Sequence, residues 1–342
     1  MLENWRTHWL ILSISIRERL TYRGDFAFAT LVRFLPLITQ IFLWAAIFGV
    51  AGKPDRSPST DPSTSPDRSV ATAVTDASRA ATDRSQAENT ARRIEAKNEA
   101  PATQRSVTTS EASTSQHTPP RKVSGYSYTQ MISYYLLANI ARAFSSMPGL
   151  ANSLAKEVRD GSIKRFLTQP VDLLTYYFWG RVAHKLVYYL VAAAPFALVF
   201  YLCRDFFTGQ PTIYDWGAFF VALLFAFLIG FLIESLIGLV SFWFLEIGSV
   251  VFIFMMLNYF LSGHMLPLDF LTSQLPRPVT QVLLLLPFQY LAYFPATILL
   301  GRYQPDELLR HLAISGSWVV LLWLLNRLAL RRGIRRYSAF GG

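Results

Sequence analysis

WGAFFVALLFAFLIGFLI, residues Trp216–Ile233, carries no charge and no proline over eighteen positions. A helix of this sequence is apolar around its whole circumference and so has no face for water. Its length approaches the ~20 residues that cross a bilayer's hydrocarbon core. Working outward and reading between charges gives further runs of the same kind: Phe34–Gly52, Leu186–Cys203, Ile247–Leu268 and Leu312–Asn326. The central run continues past Glu234 to Leu245, and the last can reach Leu330 if Arg327 snorkels. Val123–Ala141 is also uncharged but rich in Tyr and Ser, and Tyr126, Tyr128, Tyr134 and Tyr135 suit an interfacial belt and a bundle-facing surface. The expectation is an all-α membrane protein with six transmembrane helices.

A seventh apolar run, Pro278–Gly301, is long enough to cross. Pro287 and Pro295, however, each remove a donor and clash with the preceding turn, dividing it into short pieces. A re-entrant helical hairpin before the last span, over residues 278–301, fits better, because broken backbone at membrane depth must be covered by protein or water. Charge placement agrees. Arg6, Arg17, Arg19 and Arg23 lie near the N-terminus. Lys156, Arg159, Lys164, Arg165, Arg181 and Lys185 lie between spans two and three. Arg327, Arg331, Arg332, Arg335 and Arg336 lie at the C-terminus. Six crossings put all three basic segments on one side, expected to be the cytoplasm, with both termini there. Seven would put the last cluster outside.

The rest of the composition fits that reading. Half the chain is hydrophobic and the mean hydropathy is +0.30. The net charge of +10 would suggest nucleic acid in a soluble protein, but here the arginines sit at span ends, and no nucleic-acid partner is expected. Cys203 is the single cysteine, so neither an intrachain disulfide nor a Cys-based zinc site is available. The first residues lack the order of a removable signal peptide. Residues 52–122 differ in kind: they contain no Leu, Phe, Tyr or Trp, and their eleven basic and nine acidic residues nearly cancel. Such a stretch cannot bury enough surface to offset its ordering entropy and reads as a disordered external loop insertion. The organisation expected is therefore residues 1–51 for the interfacial helix and first span, 52–122 for the insertion, and 123–342 for spans two to six.

Two segments outside the spans carry pattern. In Leu2–Arg23, Trp5, Trp9, Leu12, Ile16 and Leu20 recur at helical spacing, as in an amphipathic N-terminal interfacial helix or a buried packing helix. In residues 147–184, Leu150, Leu154 and Val158 form a narrow stripe, Gly161 is placed to follow a helix end, and Ile163, Phe166 and Leu167 form a second apolar face. Pro170 then forces extension, and Asp172 can cap the next helix. Two short helices joined at a glycine suit either a docking element for a cytoplasmic partner or a loop resting on lipid headgroups.

Glu157…Gly161-x-Ile163-x-x-Phe166-Leu167-x-x-Pro170-Val171 resembles the E-x3-G-x-[LI]-x2-[LF]-L-x2-P-[VL] segment of ABC-2 type permeases. The arginine-bearing amphipathic N-terminus, Leu43-Trp44-Ala45-Ala46-Ile47-Phe48 and the Arg/Gly tail are similar to one bacterial branch of that family. The resemblance covers everything except residues 52–122, where family members have a short loop. It implies a six-span half-transporter, with no cofactor of its own, that pairs with a second copy or a related permease in the inner membrane and docks a separate cytoplasmic ABC ATPase. It also implies that Glu157, Gly161, Ile163, Phe166, Leu167 and Pro170 are coupling residues.

The chain's own chemistry is sparse. No GxxxxGK[ST] phosphate loop, HExxH or GxSxG occurs, so no enzyme activity is expected. Glu234 is the one acid well inside an apolar run and must face protein or water, at a conduit or subunit interface, paired with a base such as Arg33, or protonated and bonded between helices. A membrane-embedded enzyme would need clustered acids, His or Lys. An ATPase-independent secondary transporter or channel would need ionisable residues on several spans.

Overall fold

The computed structural model describes residues 2–21, 32, 35–48, 125–168, 171–207, 211–244 and 246–339. The expected insertion at 52–122 therefore lies outside the described residues, as does Arg33. The described residues contain helices and no strand. In chain order the helices are α1 (Leu2–Thr21), α2 (Leu35–Ile47), α3 (Tyr128–Ser145), α4 (Leu150–Arg159), α5 (Lys164–Thr168), α6 (Leu173–Leu202), α7 (Ile213–Leu239), α8 (Gly248–Leu261), α9 (Leu268–Gln274), α10 (Arg277–Leu285), α11 (Tyr293–Ile298) and α12 (Pro305–Ala339).

Each expected span has its helix, with corrected ends. The stretches Leu173–Leu202, Ile213–Phe242 and Pro305–Tyr337 are long and apolar enough to cross a membrane; α2 and α8 are shorter apolar helices. α6 begins thirteen residues before the expected Leu186. Its early charges are tolerated because they bond to neighbouring backbone, as described below. α8 ends at Leu261 instead of continuing to Leu268. Gly263 takes φ +80° there, and the hydroxyls of Tyr134 and Tyr135 donate to the carbonyls of Gly263 (2.5 Å) and Met265 (2.7 Å). The tyrosines of α3 thus satisfy a helix break in its neighbour.

Caps read directly from sequence. Ser127 and Gln130 form a reciprocal capping box on α3. The Asp172 carboxylate accepts from the Thr175 N–H at 3.3 Å and caps α6, as expected. Asp215 accepts from the Thr212 N–H at 2.8 Å at the start of α7.

α7 and α12 run parallel: Gly316 faces Phe225, Asn326 Nδ2 donates to the Leu232 carbonyl at 2.8 Å, and Gly333 abuts the Phe242 ring. One end of the bundle gathers the basic segments. There Arg327 meets Asp172 at 3.3 Å, Gly161 lies beside the Tyr337 hydroxyl, and Arg159 reaches Glu246 at 3.8 Å. α1 joins close to this end, with His8 stacked on Trp179 at 5.7 Å. On α1, Leu12 and Ile16 are half-buried while Trp9 is exposed; the side chains of Trp5 and Leu20 lie outside those described.

The run 278–301 is broken at Pro287 as expected, but not at Pro295. Pro278 sits in the first turn of α10 and Pro287 opens a 3-10 turn after the extended Leu286. Pro295 lies in the first turn of α11, where a missing N–H costs nothing, and the second break falls at Ala292. The later part of the run packs near α9: the Tyr293 hydroxyl donates to Asp269 at 2.8 Å, and Arg302 lies 3.6 Å from the same carboxylate. Residues 289–299 are buried in protein. By contrast α8 buries none of its side chains, and Phe252, Ile253, Met255 and Phe260 are exposed. Apolar surface of that extent needs lipid or another chain to cover it.

Candidate functional site

The turn between α3 and α4, Ser146-Met147-Pro148-Gly149, is held by charged side chains from two long helices. Lys185 of α6 donates through Nζ to the carbonyls of Ala143 and Ser146, the latter at 2.5 Å. Arg181, one helical turn earlier, donates to the Pro148 carbonyl at 3.0 Å. A helix C-terminus leaves carbonyls without partners and carries partial negative charge, so cations belong there. The start of α4 poses the opposite problem. Its N-cap is Gly149, which offers no side-chain acceptor. Glu234 of α7 lies against it, close to the backbone N–H groups of Met147 and Ala151 and to Arg181 and Lys185.

Close backbone approach makes this possible. A Cβ at Gly230 would strike the Ser145 carbonyl, and one at Gly238 would sit 2.8 Å from Leu154 Cβ and 3.1 Å from the Ala151 carbonyl. Both glycines lie on α7, two turns apart, and let the end of α3 and the body of α4 rest on its backbone. α4 adds its apolar stripe: Leu150, Ala151, Leu154, Ala155 and Val158 are buried. Each of the larger residues stabilises this contact by about 1.5–3 kcal/mol.

The residues named from sequence fall on two sides of the α4–α5 elbow. Gly161 takes φ +73°, follows α4 as expected, and donates to the Val158 carbonyl at 3.3 Å, while Ile163 N–H closes on the Glu157 carbonyl at 3.1 Å. Ile163 and Phe166 point inward and are buried, Phe166 against the Tyr176 ring at 5.3 Å. Glu157 is mostly covered. One oxygen takes Arg165 at 2.5 Å and Tyr177 at 3.2 Å, and the other is buried without a partner among the described residues. The outward surface consists of Lys156, Arg159, Asp160, Ser162, Lys164 and Arg165. The side chain of Leu167 and all of Pro170 lie outside the described residues. Glu234 meets Arg181, Lys185 and two N–H groups, five residues from the end of α7.

Sequence reading passed over Arg181 and Lys185 as topology markers. The available signal was their spacing of four, which places both on one helical face. At the opposite end, Asp269 collects Tyr126 (2.6 Å), Tyr293 and Arg302, and Arg302 stacks 3.7 Å over the Tyr126 ring. Burial pushes the nearby Tyr303 phenol up to about 12, so it stays neutral, its oxygen accepting from the Thr297 hydroxyl at 3.3 Å. Arg142 donates to His264 Nε2 at 2.7 Å, which occupies that nitrogen. The described residues hold no group of three His, Cys, Asp or Glu suited to a metal.

Long apolar helices, a broken apolar run, and a turn tied to the long helix α6 describe a helical membrane-embedded domain. A family model described as ABC-2 family transporter protein matches residues 116–341, more than half of the chain, and the chain belongs to that family. Neither a curated protein nor a solved structure matches it.

Proposed function

We propose that this chain is the permease subunit of an ABC-2 type ABC transporter, an exporter of the bacterial inner membrane driven by a separate cytoplasmic ATPase. Six spans, α2, α3, α6, α7, α8 and α12, cross the bilayer. Both termini face the cytoplasm, and residues 278–301 form a hairpin entering from the outer side. Two such subunits pair, and each presents its α4–α5 elbow to one ATPase.

The observation that carries this reading is the bolting of the elbow. Arg181 and Lys185 bind the backbone of the α3–α4 turn that leads into it, and Gly230 and Gly238 let α3 and α4 rest on α7, so a push on α4 is delivered to α6 and α7. Glu157, Gly161, Ile163, Phe166, Leu167 and Pro170 form the coupling element, with Ile163 and Phe166 setting its shape and Lys156, Asp160 and Lys164 offering contacts. A self-sufficient secondary transporter would instead use intramembrane charges as a relay. Here those of the inner half are engaged with backbone.

The test is ATP hydrolysis by the cognate ATPase, reconstituted with and without this chain. The chain should stimulate hydrolysis, and charge reversal at Lys164, an exposed position, should reduce stimulation without lowering thermal stability. Full stimulation by the Lys164→Glu variant together with Lys156→Glu would remove the elbow from the interface.

A further inference from the structure

At the basic end of the bundle, a groove of about 620 Å³ lies between the last helix and the start of α6, lined by Asp172, Trp323, Leu324, Arg327, Leu328, Leu330, Arg331 and Ile334. Trp323, Arg327 and Arg331 recur every fourth residue and so stand on one face of α12. From Trp323 to Arg331 the helix rises roughly 12 Å. The polarity along that rise is ordered. Trp323, Leu324 and Leu328 make its deeper, apolar part, all well exposed, and Arg331 stands at the surface end. Between them, the Arg327 guanidinium lies 5.6 Å over the Trp323 ring and 3.3 Å from the Asp172 carboxylate.

We propose that this groove binds one anionic phospholipid of the inner leaflet, acyl chain along Trp323, Leu324 and Leu328 and phosphate at Arg331. The proposal rests on the membrane placement given above. Charge complementarity selects the occupant: among the described residues Asp172 balances Arg327, which leaves Arg331 as the groove's cation without a paired acid, facing a singly charged headgroup. The order of the wall, apolar toward the membrane interior and cationic toward water, matches a phospholipid end to end, which a soluble anion or a protein loop does not require. Trp and Arg are also the side chains suited to the boundary between tails and headgroups. The site also borders the segment that follows the elbow, since Asp172 both lines the groove and caps α6. Occupancy would therefore hold Arg327 and Asp172 in place beside the coupling element.

The test uses the full chain in phosphatidylcholine vesicles doped with lipid brominated on its acyl chain, either phosphatidylglycerol or phosphatidylcholine. Quenching is taken as the part of the tryptophan emission lost in a Trp323→Phe variant. Brominated phosphatidylglycerol should quench Trp323 about fivefold more effectively than brominated phosphatidylcholine, the factor one interfacial arginine supplies. Arg331→Gln should bring that ratio near one, Arg331→Lys should keep most of it, and soluble glycerol phosphate should leave it unchanged. Equal quenching by the two lipids, a ratio indifferent to Arg331→Gln, or displacement by glycerol phosphate would overturn the proposal and leave the membrane placement standing. No Trp323 quenching by either lipid would overturn both. Loss of ATPase stimulation in Arg331→Gln with the lipid ratio intact would assign the arginine to the partner protein and also overturn it.

Discussion

Lys185→Met keeps the length and apolar stem of the side chain and removes only the ammonium. In the folded chain that group is buried and serves the carbonyls of Ala143 and Ser146 at the end of α3. A hydrogen bond to a charged group contributes about 1.5–3 kcal/mol, and two are lost. Glu234 also loses a neighbouring positive charge, though Arg181 remains. The expected destabilisation is about 3–5 kcal/mol, in the range found when one partner of a buried charged pair is removed. Read as thermal unfolding in detergent, that is a fall in midpoint of roughly 10 °C. Lys185→Arg, which keeps a cation within reach, should lose less than half as much. A double-mutant cycle with Glu234→Gln should be non-additive by about 1 kcal/mol, because both side chains lie against the same four-residue turn. An unchanged midpoint for Lys185→Met, or strict additivity with Glu234→Gln, would refute the idea that these charges act as one anchor.

Other perturbations follow from the same contacts. Gly238→Ala places a methyl 2.8 Å from Leu154 Cβ and should lift α4 from α7, costing about 1–3 kcal/mol and reducing ATPase stimulation more than its stability loss explains. Gly161→Ala forces a side chain into φ +73° with the Tyr337 hydroxyl 3.3 Å away, so a loss of about 1 kcal/mol is expected in the same unfolding assay. Asp269→Asn weakens the Tyr126, Tyr293 and Arg302 cluster and should lower the unfolding midpoint, while leaving ATPase stimulation intact because the cluster lies at the far end. Asn326→Leu removes the bond to the Leu232 carbonyl and should cost about 0.6 kcal/mol, the usual size for polar contacts between membrane helices.

Much of this architecture is legible in the sequence because lipid imposes simple rules on it. Apolar runs between charges mark the helices, Asp172 and Gly161 mark caps that geometry later realises, and Pro287 marks a true break. Helix ends are less legible, for a definable reason. α6 starts far earlier than its apolar run because Arg181 and Lys185 discharge onto backbone carbonyls of another helix, a contact that no local pattern encodes. Pro295 misleads in the reverse direction, since the consequence of a proline depends on whether it falls in a first turn. The anchor itself joins residues from α3, α4, α6 and α7, separated by up to 91 positions between Ala143 and Glu234. Glu234 was identifiable as a buried acid needing a partner. That it lies beside a helix start and two basic side chains emerges only when Gly230 and Gly238 let the backbones meet.

The account stands most directly on what the elbow touches. A photo-crosslinking amino acid at Lys164, activated in native membranes, should capture a protein bearing a GxxxxGK[ST] phosphate loop whose ATP hydrolysis this chain stimulates. Capture of lipid alone, or hydrolysis indifferent to the chain's presence, would contradict it.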